Sequence, residues 1–292
     1  MRSPCVAAPG AREDERARDA WSSFWQEPGQ SRCVDGSPDV WRALSTHWSA
    51  FAAPLPGEAR VLDLGCGAGA VARALLDARA DLHVTGIDFA RIPFFIQRNV
   101  ELLADTAMED LPFADASFPA IVSQFGFEYG HTERAAREMA RVLAPGGRFS
   151  FITHHAASSI VSFNRARLNV LTAFLHADMR AAFCGGDAET FNRRLAALTR
   201  VHPDDLLLEL QRSLPFRMGR PARERAAIWA AIEEALAPEL CLLDSMQAAR
   251  VAPDAIEAWL APLRTCADLA PVSVLRKATG EPIAWRIAGV RV

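Results

Sequence analysis

Val61-Leu62-Asp63-Leu64-Gly65-Cys66-Gly67-Ala68-Gly69-Ala70 decides how the rest of the chain is read. An apolar run ends in an acid, and glycine then takes alternate positions. The pattern predicts a buried parallel strand that feeds a tight loop and a helix over Val71 to Arg79. Without a Cβ, Gly65, Gly67 and Gly69 can take φ > 0 and let a ligand lie against bare backbone. The helix that follows points its first N–H groups at the same place. The loop alone does not name a ligand. Its G-x-G-x-x-G/A pattern is weak in isolation, and a glycine-rich turn with no ligand is the plain alternative.

A second short apolar strand, Leu82-His83-Val84-Thr85-Gly86-Ile87-Asp88, also ends in an acid, 19 residues after Gly69. In a doubly wound sheet this sets a carboxylate beside the glycine loop. There it accepts both hydroxyls of an adenosine ribose. Nicotinamide dinucleotides and S-adenosylmethionine both carry that ribose, so Asp88 does not separate them.

The 292 residues are 50% apolar and 23% charged, enough for one large domain with an elaboration. A net charge of −3 gives no bulk attraction to nucleic acid. The 6 cysteines are scattered without a C-x-x-C, so neither a zinc site nor a disulfide framework is supported. No apolar run is long enough to cross a membrane, and the N-terminus lacks the apolar stretch of a secretory signal. A cytoplasmic location is the expectation.

Residues 1–39 read as a leader with a helical cover. Its charged stretch, Ala11 to Arg18, is expected to be frayed or solvated helix. Trp21, Phe24 and Trp25 then share one helical face. They are expected either to pack on the core or, for Trp21 or Trp25, to cover a ligand over the glycine loop. Gln26 to Pro38 reads as a loop, and Val40 to Phe51 as a helix with Trp41, Leu44 and Trp48 on one side. Arg91 to Leu103 is expected to be mostly helix, with a strand around 98–106 as the alternative. Ala120 to Phe125 is a buried strand. Thr132 to Leu143 is an amphipathic helix that stops at Pro145-Gly146-Gly147, and Arg148 to Thr153 is another strand. This alternation argues for a parallel sheet with helices on both faces.

Four motifs stand in the order and spacing of a known family: Asp63 to Gly69, Asp88, Leu111-Pro112-Phe113 with Ser117-Phe118, and Leu143 to Gly147. Over about residues 40–155 and the tail, the chain resembles the class I S-adenosylmethionine-dependent methyltransferases. The resemblance is to the small-molecule branch that includes the ubiquinone/menaquinone methyltransferases. It implies a Rossmann-like α/β fold with a seven-stranded, mostly parallel sheet. It also implies roles. Backbone at Gly65, Gly67 and Gly69 borders the methionine part of the cofactor, and Asp63 holds its ammonium group. Asp88 takes the ribose hydroxyls, Phe89 lies against adenine, the segment at Met108 meets the adenine edge, and Gln124 sits near the sulfonium. Two departures stand out: Ala107 and Pro119 occupy positions where many relatives carry Asp. Asp105 or Glu109 is the candidate to compensate at the adenine.

A proton acceptor, where the acceptor needs one, belongs just past a strand's carboxyl end. Tyr129, the only tyrosine, and His154 are the candidates, each with a plain structural reading beside it. Residues 156–266 show helical patterning only and read as an insertion after the fifth strand, expected to act as a substrate lid. Within it Ile160, Phe163, Val170, Leu171 and Phe174 share a face, and a long helix is expected to end at Pro238. Residues 267–292 supply the last two strands. The expected activity is methyl transfer from S-adenosylmethionine to a small organic acceptor. A catalytically silent cofactor-binding scaffold or an NAD(P)-dependent oxidoreductase are the alternatives.

Overall fold

A computed structural model of the chain describes residues 11–26, 37–93, 97–203 and 205–292. The expected loop over Gln26 to Pro38 lies largely outside them. The elements run α1 (Ala11–Gln26), α2 (Pro38–Ala52), β1 (Arg60–Leu64), α3 (Ala70–Ala78), β2 (His83–Ile87), β3 (Val100–Leu103), β4 (Phe118–Gln124), α4 (Thr132–Val142) and β5 (Leu143–His154). After them come α5 (Ser159–Phe174), α6 (Ala177–Gly185), α7 (Ala188–Val201), α8 (Asp205–Met218), α9 (Ala222–Ala249), α10 (Ile256–Arg264), β6 (Ala267–Leu269), β7 (Ser273–Arg276) and β8 (Pro282–Arg291).

Two compact units share these elements, and each is described by itself. The larger, Trp21–Ser162 with Ala248–Val292, holds an 8-stranded sheet in the order β3-β2-β1-β4-β5-β8-β6, with β7 paired to β8. Strands β1 to β5 are mutually parallel, and β8 runs antiparallel to β5, β6 and β7. The β1 and β2 sequences, Val-Leu-Asp-Leu and His-Val-Thr-Gly-Ile, are covered strands without strict alternation, as parallel strands packed on both faces are. Helix α2 packs with α3, and α10 packs against α4. A cluster of Leu62, Ile121, Phe149, Phe151, Met139, Leu260 and Trp285 fills the α4–α10 side.

Several sequence expectations shift here. Arg91–Leu103 is not a helix among the described residues. Asn99 takes φ +64 and Val100–Leu103 pairs in parallel with β2, so sheet hydrogen bonds replace helical ones. Residues 267–292 form three strands rather than two, since Ala267–Leu269 pairs antiparallel with β8 as β6, and the sheet holds eight strands rather than seven. The Pro145-Gly146-Gly147 turn is absorbed into β5, and the β4–β5 register skips at Pro119, which has no N–H to give. The charged stretch read as frayed or solvated helix is indeed helical, the first part of the continuous helix α1, rich in helix-forming Ala, Arg and Glu. Trp41 is 40% exposed, unlike its neighbours Leu44 and Trp48, which are buried.

The smaller unit is Met1–Ala20 with Phe163–Gln247. It is narrower than the insertion read from sequence, because residues 156–162 and the stretch from Ala248 through α10 belong to the sheet unit. Their apolar residues Leu260 and Leu263 join the sheet's own core. Trp229 packs among Phe174, Phe183 and Phe191 at the centre of the helical unit. Phe163 points away, 56% exposed, despite its place in the apolar periodicity. Helix α9 does not end at Pro238 but runs through it. Buried Leu236, Leu242, Leu243 and Met246 flank the proline, and their packing outweighs the ~3 kcal/mol an interior proline costs. No helix among the described residues is long and apolar enough to cross a membrane.

Candidate functional site

At the carboxyl end of β1 the chain leaves the sheet through three left-handed glycines, Gly65 at φ +71, Gly67 at +48 and Gly69 at +74. An L side chain is disfavoured at each. Gly65 also has no room for a Cβ, which would stand 2.8 Å from the Cα of Gly126 at the end of β4. Those two glycines let the β1 and β4 exits touch. Gly126 is a site residue the sequence reading missed, since nothing local marks a glycine that serves another glycine.

Asp63 is fully buried on β1, and neither of its carboxylate oxygens has a hydrogen-bond partner. Burial, reinforced by nearby Asp88, pushes its pKa up to about 8. Asp88 is tied to the loop, since its Oδ2 accepts from the Gly67 N–H at 2.8 Å and its Oδ1 from the Ala90 N–H at 2.9 Å. Burial raises its pKa to about 6 even though these two bonds pull the other way. The acid that sequence reading set beside the loop thus also latches it. Phe89 follows Asp88 and is partly exposed. A Cβ on Gly67 would meet the Trp25 ring at 2.4 Å, so the indole of α1 lies directly over the loop.

The second cluster lies past β4 and β5. Gln124 ends β4, and its Oε1 accepts from Trp48 Nε1 at 2.7 Å. Phe125 adopts φ +54, strained for an aromatic residue, and stacks on His154 with ring centres 4.5 Å apart. The structure brings Tyr129 and His154 together, with the hydroxyl 3.0 Å from Nε2. His154 is buried completely, which drives its pKa down to about 3, so the imidazole is neutral. Glu128, unnoticed in the sequence, accepts the His154 backbone N–H at 2.8 Å. Burial raises its pKa to about 8. Trp21 meets Tyr129 edge-on at 5.1 Å.

The remaining candidates sit in supporting places. Met108 lies against Gly130, where a Cβ would be 2.7 Å from its sulfur. Glu109, a candidate to compensate at the adenine, accepts the His131 N–H. His155 caps the turn after β5 by accepting from Ala157 N and packs on Trp285.

The donor set fits S-adenosylmethionine. Two unpartnered carboxylate oxygens await a cation, a cradle of φ-positive glycines leaves backbone bare, and a neighbouring acid retains accepting capacity for a diol. Residues 62–151 match the family model described as methyltransferase domain. The chain is 30% identical over 180 residues to a ubiquinone/menaquinone biosynthesis C-methyltransferase of Pseudomonas savastanoi, covering 56% of this chain and 67% of that protein. It is 33% identical over 142 residues to a 2-phytyl-1,4-naphtoquinone methyltransferase of Thermosynechococcus vestitus, covering 44% of this chain and 60% of that one. The chain spans about half the length of most curated relatives it matches. In fold it is similar to the 1,6-didemethyltoxoflavin-N1-methyltransferase of Burkholderia thailandensis, with TM-score 0.54 at 12% identity over 100% of this chain and 93% of that one.

Proposed function

The chain belongs to the S-adenosylmethionine-dependent methyltransferases, and from that premise we propose that it methylates a small organic acceptor. Asp63 carries the reading. A buried carboxylate with no partner is costly, and a cofactor ammonium would supply the partner. Backbone at Gly65, Gly67 and Gly69 would border the methionine part. Asp88 keeps a free lone pair on each oxygen for the ribose hydroxyls. Phe89 and Met108 would contact adenine, and Gln124, oriented by Trp48, would lie near the sulfonium.

When bound, S-adenosylmethionine supplies an electrophilic methyl group. The chain's own task is to align the acceptor and exclude water. Tyr129 is the residue we assign to the acceptor. His154 serves it as a fixed neutral partner rather than as a base, because a burial-depressed imidazole does not hold a proton near pH 7. The edge-on Trp21 beside Tyr129 favours a flat ring as acceptor, in keeping with the quinone methyltransferases among the relatives. The helical unit, which enters the chain after β5, would choose among acceptors.

Calorimetry with S-adenosylhomocysteine tests the cofactor reading. The intact protein should bind one equivalent, and Asp63→Asn should bind more weakly by about tenfold or more. Equal affinity in the two would remove Asp63 from the site. For the helical unit, replacing residues 163–247 with a Gly/Ser linker should keep S-adenosylhomocysteine binding within about tenfold. Turnover of an acceptor used by the intact protein should cease, and persistent turnover would assign those helices another role.

A further inference from the structure

A groove of about 340 Å³ runs between α2 and the β7–β8 hairpin, lined by none of the residues assigned to the cofactor above. Small or apolar residues, Ala43, Ala50, Leu275 and Ala278, contribute to its lining, and the size suits a small molecule. Its walls carry Arg42, Arg276 and Arg286 against a single acid, Asp39. That excess of positive charge stands on a chain whose net charge is −3. Each guanidinium is held by one partner. Arg42 Nη1 is 3.0 Å from Asp39 Oδ1, Arg276 Nη1 donates to the Gly280 carbonyl at 2.8 Å, and Arg286 Nε donates to Ser273 Oγ at 2.8 Å. One anchor per side chain orders the fork and leaves other N–H groups for a ligand.

The sheet fixes where this groove lies. Gln124 pairs with Ile152, Ile152 with Arg286, and Arg286 with Ser273, so the four form one cross-strand row on one face. Two strand spacings set Arg286 about 10 Å from Gln124. His47, whose ring nitrogen meets Ser150 Oγ at 3.0 Å, closes the groove against that face. Burial and then Arg286 lower its pKa to about 4, so it adds no charge. The hairpin's own acid, Glu281, is 3.4 Å from Lys277.

We propose that this groove is a second ligand site, which binds a small organic acid through its carboxylate or phosphate. The arginines fork onto the anion and the alanine and leucine lining takes a short apolar body. The site goes beyond the methyl-transfer reading and does not depend on it.

Calorimetry on the full chain, with inorganic phosphate and with benzoate as separate probes, tests the site. One equivalent of at least one probe should bind saturably. A response to phosphate alone marks a phosphoryl ligand, and one to benzoate alone marks a carboxylate with an apolar body. Saturating S-adenosylhomocysteine should leave that binding unchanged. Arg276→Gln and Arg286→Gln should each weaken it at least about tenfold. Ala278→Trp keeps every charge but fills the groove, and it should weaken binding equally. Arg286 supports the hairpin through Ser273, so Arg276→Gln and Ala278→Trp decide the matter if Arg286→Gln unfolds. Absence of saturable binding by both probes, competition with S-adenosylhomocysteine, or binding that survives Ala278→Trp would overturn the proposal.

Discussion

The two ends of the candidate site are built differently. At the β1 end, backbone does the shaping. Three φ-positive glycines and an acid that hydrogen-bonds Gly67 set the loop, and the residue types are dictated within one short segment and the next strand. At the β4–β5 end, side chains do it. Tyr129 and His154 are 25 residues apart, Phe125 is strained, and Glu128 holds a backbone group across that gap. An end made of backbone tolerates almost no change of residue type. An end made of side-chain pairs should lose function in steps while the fold survives. Each prediction below presses on that contrast.

The largest effect is expected at the loop. Gly67→Val demands φ +48 of a β-branched residue and drives a side chain into the Trp25 ring. Strain and overpacking together should cost on the order of 3 kcal/mol. Calorimetry should find S-adenosylhomocysteine binding abolished, and a melting curve should find the midpoint lowered. Normal binding would show that the loop is a turn and nothing more. Next comes Asp88→Ala, which removes both the proposed ribose acceptor and the loop latch. A loss of about 1.5–3 kcal/mol in S-adenosylhomocysteine affinity is expected, from hydrogen bonds to a charged group. An unchanged dissociation constant would break the assignment.

At the other end, Tyr129→Phe should leave cofactor affinity within about twofold and lower acceptor turnover by roughly 10–100-fold. His154→Asn should follow it more weakly, since it acts through Tyr129. If Tyr129→Phe instead impaired cofactor binding and spared turnover, the two ends would have exchanged roles.

The same contrast governs what the sequence could disclose. The β1 end was legible because glycine at alternate positions after an apolar run has few structural meanings. Asp88 was legible because strand length fixes where the next strand's tip falls. Tyr129 and His154 were named only as separate candidates, because their pairing depends on how β4 and β5 exit the sheet. Glu128 carries no local signal, since a carboxylate next to an aromatic residue is ordinarily solvated. The groove beside α2 was illegible because Arg42, Arg276 and Arg286 come together only when the last hairpin closes the sheet. Pro238 misled for the opposite reason. A local rule was applied where packing along α9 overrode it.

The smallest effect concerns stability against pH, and it separates the two ends by titration. Asp63 and Glu128 are both buried with pKa values raised to about 8. In the unfolded chain each would ionise near an ordinary carboxylate value. Between those limits the folded state keeps a proton that the unfolded state releases. Raising the pH therefore favours unfolding, and the contribution of each group is complete below the unfolded value and gone above about 8. His154, depressed to about 3, works in the opposite sense, but its window closes near the unfolded histidine value of ~6.5. Of these three groups, only the two acids remain in play from about pH 6.5 to 8, and each should lower stability by about 1 kcal/mol per pH unit. Urea melts across that range should show the decline, and Glu128→Gln should flatten part of it. S-adenosylhomocysteine at saturation should act on the Asp63 share alone, because its ammonium stabilises the ionised form. A slope that the ligand leaves untouched would mean Asp63 does not meet the ammonium. A slope that Glu128→Gln leaves untouched would mean Glu128 is ionised in the fold, and that the β4–β5 end is held by charge rather than by neutral pairs.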